Sequence, residues 1–346
     1  MHSLSDISWN VTEEEYRNDP ALSYSTIAKF DRTGFSGLSK LQEHIETPSL
    51  TFGSCVDAII TGGYEEFNSR FYVADEEFDL EDKEIKITCT LFNHFNSTIN
   101  NIYEIPYSDV LTEVLANDYH KNWREDTRVK VLKEHCERYY ECLFKAKNKT
   151  IIDTDTYQDV LNCVTMLKES YYTSKFFNNS EDPNIEHYYQ LKFKAKLHNI
   201  DYRIMADLLV VNHRDKTITP VDLKTSSHVE WEFYKSFIEW GYSHQARLYY
   251  RVIRANMDKD PYYKDFELLD YKFIVVNKST LEPLVWVFPF TKSVGELKFG
   301  RNNQIVIRDP EDLGQELFIY LTKTPDVPLN VTKFSDNDLT DFLYNM

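Results

Sequence analysis

No cysteine of this chain stands in a C-x-x-C pair. The five present, Cys55, Cys89, Cys136, Cys142 and Cys163, are odd in number and widely spread. Their pattern indicates neither a zinc site nor a disulfide framework, and a reducing cytoplasm is the expected compartment. No apolar run approaches the roughly 18 residues that cross a bilayer. The opening MHSLSDISWN has no basic segment followed by an apolar one, so no secretory signal is expected either. Internal repeats and low-complexity linkers are also missing. Positive charge is short: 39 Lys and Arg stand against 56 Asp and Glu, a net charge of −17 at pH 7. A protein that coats nucleic acid is normally basic, so any such contact must come from a local basic patch.

What is present begins with aromatic and aliphatic residues in sufficient number for a sizeable core in 346 residues. The most informative stretch is MADLLVVNHRDKTITPVDLKTS, Met205 to Ser226. Two short β-branched runs, LLVV and ITPV, flank the polar turn HRDK and read as a hairpin. Asp207 precedes the first run; Asp222, Leu223 and Lys224 end the second. Residues two apart on a strand share a face, so Asp222 and Lys224 lie on one side. Two carboxylates and an amine on one patch can hold a hard divalent cation and a water beside it, the minimum for metal-assisted phosphodiester hydrolysis. An Asp-x-Lys at a strand end is more often a solvated surface pair, and only the surrounding pattern favours the chemical reading.

Along the chain, residues 1–50 read as helices and loops, with Ser23 or Ser25 capping a helix through Phe30. Leu50 to Gly63 reads as a buried helix entered through Gly53 and ended by Gly62-Gly63. Phe67 to Ala74 reads as extended, 75–95 as acidic loop, and 109–177 as helices covering one side of a sheet. Ile185–Leu197 and Tyr202–Val211 read as paired strands, Trp231–Tyr250 as helix, and Tyr271–Val276 and Leu284–Phe290 as two further strands. The whole is expected to be one α/β domain over 1–346, a central mixed β-sheet flanked by helices, with a mainly helical insertion at 95–177 and a C-terminal extension at 294–346.

The order FGSCVDAI, MADLLV, VDLKTS and WGYSHQARLYY resembles the PD-(D/E)XK nucleases, and within them the RecE/RecB-type exonucleases. The corresponding residues are Gly53 to Asp57, Asp207, Asp222 with Lys224, and Gln245 with Tyr249. GGYEEFNSRFYV and Lys149 to Val164 are similar to further stretches of that branch. The resemblance covers about residues 22–73 and 149–254, and it implies a restriction-endonuclease-like core. Two departures stand out: the usual proline before the first aspartate is Ala206, and the helix histidine is Asp57.

The resemblance implies that Asp207 and Asp222 bind Mg²⁺ or Mn²⁺, with the Leu223 carbonyl as a further ligand; such oxygen donors suit these cations. Asp57 would add a third carboxylate, favouring Mg²⁺; the competing reading is a helix-surface carboxylate. Lys224 would position or deprotonate the attacking water and offset charge on phosphorus, or merely pair with Asp222. Gln245 and Tyr249, at i and i+4, share a helical face that could reach the lysine or the phosphate, with core packing the alternative for Tyr249. His244 reads equally as a DNA contact or a surface residue. Glu186 is a weak candidate to assist the metal, since Gln190 is better spaced. Lys192, Lys194 and Lys196 form a strand stripe, more simply a solvated face than a DNA contact. Trp231 and Trp240 could stack on an unpaired base or lie in the core.

The function these features imply is a Mg²⁺-dependent exonuclease acting on ends of linear double-stranded DNA, in recombination or DNA processing. The alternatives are a sequence- or structure-specific endonuclease and an inactive DNA-binding or assembly protein. An iron–sulfur cluster is not expected, because no cysteine follows Cys163. By association, the resemblance also implies a bacteriophage or prophage source, a single-strand annealing partner and a homo-oligomeric ring. The acidic C-terminal KFSDNDLTDFLYNM reads as a docked amphipathic helix, with a partner-docking tail as the alternative. Asp222→Ala and Lys224→Ala are expected to leave the fold intact, both lying at a strand end.

Overall fold

The computed structural model describes residues 2–40, 48–95, 98–226, 228–277 and 280–323. Along the chain lie α1 (Glu13–Asn18), α2 (Tyr24–Thr33), α3 (Pro48–Arg70), β1 (Phe71–Val73), α4 (Asp82–Phe95), α5 (Tyr107–Ala116), α6 (Glu125–Ala146), β2 (Thr150–Ile152), α7 (Thr154–Glu169) and α8 (Ser174–Phe177). There follow β3 (Ile185–Leu197), β4 (Ile200–Asn212), β5 (Thr217–Ser226), α9 (Phe233–Glu239), α10 (Tyr242–Met257), β6 (Glu267–Leu268), β7 (Tyr271–Asn277), β8 (Pro283–Phe288), β9 (Leu297–Phe299), β10 (Ile305–Ile307) and α11 (Pro310–Lys323). Among the described residues no helix is long and apolar enough to cross a membrane. The chain divides into two compact units, a sheet unit of Met1–Gly53 with Thr165–Met346 and a helical unit of Ser54–Val164.

The helical unit departs from the sequence reading in extent and packing. It begins inside α3 rather than at residue 95, because α4, α5 and α6 share one core. Ile87, Leu91, Val110, Val114, Leu132 and Tyr140 bury their side chains on one another, so these helices have an apolar centre of their own. The expected loop at 75–95 is largely α4. Its acidic residues Asp82 and Glu84 fall in the first turn, where they suit the positive end of the helix dipole. The Glu84 carboxylate also accepts the Glu81 backbone N–H at 3.0 Å. The expected helix stop at Gly62-Gly63 is a kink at Gly63 (φ 70°), after which α3 runs on to Arg70. Only Phe71–Val73 of the expected extended run is strand, paired in parallel with β2.

The sheet unit is mixed α/β. Its strand order is β3-β4-β5-β7-β8, with β6 beside the start of β5. β3 and β4 meet through His198 and Asn199, both at positive φ (45° and 67°), as a two-residue hairpin turn requires. β4–β5 and β7–β8 are antiparallel, and β5–β7 is parallel. α2 is capped by Ser23, whose hydroxyl accepts the Thr26 N–H. Against β3 and β4 packs α10, with α2 and α11 beside it. The expected single helix over 231–250 is broken at Gly241, whose left-handed φ of 65° turns the chain from α9 into α10.

The C-terminal extension is partly core: Leu313, Leu317 and Tyr320 of α11 are buried with the sheet residues. A buried guanidinium fastens it, Arg247 reaching Asp309 at 2.7 Å and Arg251 joining the same carboxylate. The segment KFSDNDLTDFLYNM lies outside the described residues.

Burial along β3 and β4 changes phase midway. The core takes Ile200, Tyr202, Ile204 and Ala206 from β4, then Leu209 and Val211. From β3 it takes Phe193 and Ala195, while Tyr188 packs on the same side beyond the break. Side chains alternate along a strand, so each strand has slipped by one residue in between. The slip falls at Gln190 and Asp207. The ladder runs from Leu191↔Ala206 to Tyr189↔Leu208 without pairing them, and Gln190 stands at φ 53°. It is also where β4 leaves β5: their last pair is Leu208↔Val221, and β5 continues with β7 alone.

Candidate active site

This fork positions the sequence-predicted residues. One step beyond Leu208↔Val221 the antiparallel register sets Asp207 opposite Asp222, and directly opposed residues share a face. Where β4 would otherwise supply a backbone acceptor, the Asp207 carboxylate takes the Leu223 N–H at 3.3 Å. Asp207 and Leu223 are half-buried; Asp222 is fully buried at 0% exposure.

A buried carboxylate needs partners, and three side chains converge on Asp222. Gln245 Nε2 donates to Oδ1; this orientation of the amide follows because a carboxylate only accepts. The Tyr271 hydroxyl lies 3.4 Å from the same oxygen. Lys224 Nζ is 2.6 Å from Oδ2, yet outside hydrogen-bond alignment, leaving Oδ2 and the Gln245 Oε1 as buried acceptors with no aligned donor. The Lys224 ammonium also lies over the Tyr242 ring, 4.8 Å from its centroid, a cation–π contact.

Electrostatics fix the protonation states. Burial opposes the Lys224 ammonium, but Asp222 above all, with Tyr242 and Asp207, outweighs it, so its pKa stands above the ordinary lysine value. With Asp222 beside it, Lys224 is held as the ammonium. Burial, then charges that include Asp207 and Asp222, pushes Tyr249 well above the ordinary phenol range; burial and Asp222 do the same for Tyr271. Both remain phenols. Tyr249 belongs to the core cluster and meets Tyr271 edge-on at 6.0 Å, so its ring is part of the packing.

Other expectations are corrected. Lys224 and Asp222 are not strand-end surface groups: the aspartate is sealed beneath α10, and Lys224 shows 19% side-chain exposure. His244 is buried with Nε2 3.0 Å from Asp31, which makes it a tie between α10 and α2. Glu186 is held by His213 at 3.0 Å and by the Tyr188 hydroxyl, away from Asp207. Two lysines of the stripe hold the N-terminal segment, while Lys196 is exposed beside Asp201. Lys194 pairs with Asp19 at 2.7 Å, and Lys192 reaches the Val11 carbonyl at 3.1 Å. Trp231 and Trp240 lie outside the core, 74% and 45% exposed, with the Arg32 guanidinium 4.6 Å from the Trp240 ring centroid.

Asp57 lies in the helical unit, half-buried among buried Val56, Ala58, Ile59 and Ile60, and its backbone carbonyl accepts the Thr61 hydroxyl at 2.8 Å. Gly53 belongs to the sheet unit: a Cβ there would meet Thr225 Oγ1 at 2.8 Å, so glycine permits the close approach of α3 to β5.

Among the described residues no three His, Cys, Asp or Glu side chains gather as a metal cluster. The donor set fits a hard cation nonetheless. Two opposed aspartates, one with a buried oxygen lacking an aligned donor, stand beside the Leu223 backbone, all oxygen ligands of the kind Mg²⁺ accepts. Sequence reasoning missed Tyr271 and Tyr242, which reach the site from distant parts of the chain and follow no local spacing.

No family model matches this chain, and no curated protein matches it. A solved structure from Eubacterium rectale, named "Putative exonuclease", is similar at a TM-score of 0.44 and 14% identity, covering 96% of this chain and 94% of that one.

Proposed function

We propose that this chain is a metal-dependent deoxyribonuclease that hydrolyses phosphodiester bonds from the ends of linear double-stranded DNA, in the manner of the RecE/RecB-type exonucleases its motifs resemble. The observation that carries the reading is the convergence of Asp207, Asp222, Lys224 and Gln245 on the fork between β4 and β5. Mg²⁺, or Mn²⁺, held by Asp207, Asp222 and the Leu223 carbonyl would supply a Lewis acid for a phosphate oxygen and a means of ionising water near neutral pH. Lys224, kept protonated, stabilises charge building on the phosphoryl oxygens. Gln245, with Nε2 on Asp222, holds that carboxylate in place. Tyr271 braces Asp222 through its hydroxyl, and Tyr249 packs edge-on against Tyr271. Exposed Trp231 offers a face on which an unpaired base can stack. Asp57 is no part of this proposal.

A partnership with an annealing protein, a ring-shaped homo-oligomer and a phage origin are proposals resting on the motif resemblance alone. A second reading, a DNA-binding protein without cleavage, is favoured by one observation, the complete burial of Asp222. Digestion of linear and covalently closed duplex DNA, with Mg²⁺ and with EDTA, separates the possibilities. Metal-dependent loss of the linear form alone supports the exonuclease. Cutting of the circle supports an endonuclease. Binding without cleavage, with Mn²⁺ also tried, supports the second reading.

A further inference from the structure

The proposed hydrolysis needs the Asp207 carboxylate turned toward β5, yet nothing in a regular ladder would turn it there. In β4 the core-facing residues run Ile200, Tyr202, Ile204, Ala206. Unbroken alternation would therefore send Asp207 to the opposite face and continue with Leu208 inward. Instead Leu208, although buried, lies outside this cluster, Leu209 and Val211 are its next members, and Asp207 falls into register with Asp222. The one-residue slip is shared by both strands of the β3–β4 ribbon, since the Gln190–Asp207 pair is the one the ladder omits. Its backbone cause is visible at Gln190, which holds φ 53° in the middle of a strand. A non-glycine residue at positive φ inside a strand is costly and persists only where its surroundings require it.

We infer that Gln190 is a positioning residue: its left-handed backbone produces the paired slip in β3 and β4 that presents the Asp207 carboxylate to the Leu223 N–H and to Asp222. The claim concerns the backbone at 190 rather than its amide side chain, and its bearing on catalysis rests on the nuclease reading. The slip opens the fork, because a ribbon that changes phase cannot continue its ladder with β5. The freed Leu223 N–H then finds the carboxylate at 3.3 Å in place of a strand carbonyl.

Amide hydrogen exchange of the whole protein tests this without any nuclease activity, so its outcome is separate from that of the functional reading. Gln190→Val places a β-branched residue where φ must be positive, and Gln190→Gly removes the strain. The expected result is faster exchange at Leu223 in the valine variant, by about tenfold or more, with the other β5 amides unchanged. In the glycine variant Leu223 stays protected as in the parent. Where the valine variant fails to fold, Gln190→Asn and Gln190→Thr decide. Asparagine tolerates the left-handed region and should keep the protection, whereas β-branched threonine should lose part of it. Protection of Leu223 in the valine variant, equal protection in the asparagine and threonine variants, or its loss in the glycine variant would overturn the assignment. If the nuclease reading also holds, the valine variant lowers kcat per folded molecule, with the folded fraction set by urea unfolding of the same sample.

Discussion

The two units of this chain differ in how completely they pair their buried polar groups: the sheet unit closes off Arg247 with Asp309 but leaves more buried atoms without an aligned partner than the helical unit does. In the helical unit the buried groups are closed off by near neighbours. Arg128 gives its guanidinium to the carbonyls of Tyr119 and Val114. Glu84 takes the Tyr119 hydroxyl, the His135 ring and the Glu81 N–H. In the sheet unit, four of the six buried atoms without an aligned partner among the described residues are Asp222 Oδ2 on β5 and Ser243 Oγ, His244 Nδ1 and Gln245 Oε1 on the first turn of α10; Tyr202 Oη and Arg203 Nε on β4 are the other two. Thr88 supplies the counterpart in the helical unit among the described residues. A saturated network rigidifies, while a partly satisfied one costs stability and marks a place where the structure serves something besides its own folding. Charge divides similarly. The helical unit holds 12 basic and 22 acidic residues, more than half of the chain's excess of negative charge, which directs any polyanion toward the sheet unit.

The largest test of this contrast is Asp222→Ala. It strands the Lys224 ammonium in a mostly buried setting and should cost about 3–5 kcal/mol in urea unfolding. Replacing both partners, Asp222→Leu with Lys224→Met, should recover most of that loss while abolishing hydrolysis, because an apolar pair needs no charge compensation. A double variant no more stable than the single one would mean the pair is not the source of the cost. Next in size, Arg128→Met should leave two buried carbonyls unmet, at about 2 kcal/mol. Exchange should accelerate across α4 to α6 and not at Leu223, and equal acceleration in both units would dissolve the distinction drawn between them. Tyr119→Phe removes one hydrogen bond from Glu84 and should cost about 1 kcal/mol, read from the shift in urea midpoint.

The smallest effects oppose each other in pH. Burial raises the Glu84 pKa, but its hydrogen bonds from Tyr119, Glu81 and His135 outweigh that, and it lies below the ordinary value. Its contribution is complete above the ordinary glutamate pKa of about 4.3 and fades as pH falls through the lowered one. Lys224 is raised, so its contribution is complete below about 10.4 and fades as pH climbs through the higher folded value. Stability followed from pH 3 to 11 should therefore fall in helical-unit probes on the acid side and in sheet-unit probes on the alkaline side. The reverse assignment would contradict both.

Much of the site was legible because it is local. Asp207, Asp222 and Lys224 flank one hairpin, and Gln245 with Tyr249 is a single-turn spacing, so strand and helix periods suffice to bring them out. Tyr271 and Tyr242 were not legible: they reach Asp222 and Lys224 only through the parallel β5–β7 pairing and the turn at Gly241. The burial of Asp222 was missed for the same reason, since a strand end in sequence is covered by a helix that arrives later. α4 was hidden by its acidic first turn, which masked the spacing of Ile87 and Leu91. The slip at Gln190 leaves no mark in the pattern, because both strands shift together and each half still alternates.

The central claim is that the carboxylates at the fork hydrolyse phosphodiester bonds. Asp207→Asn tests it most directly: the position is half-buried, and the amide oxygen can still accept the Leu223 N–H, so the fold should survive while the negative charge is lost. With linear duplex DNA and Mg²⁺, the parent protein should degrade the substrate, and the variant, equally stable to urea, should not. Undiminished degradation by the variant, or none by the parent with either Mg²⁺ or Mn²⁺, would contradict the account.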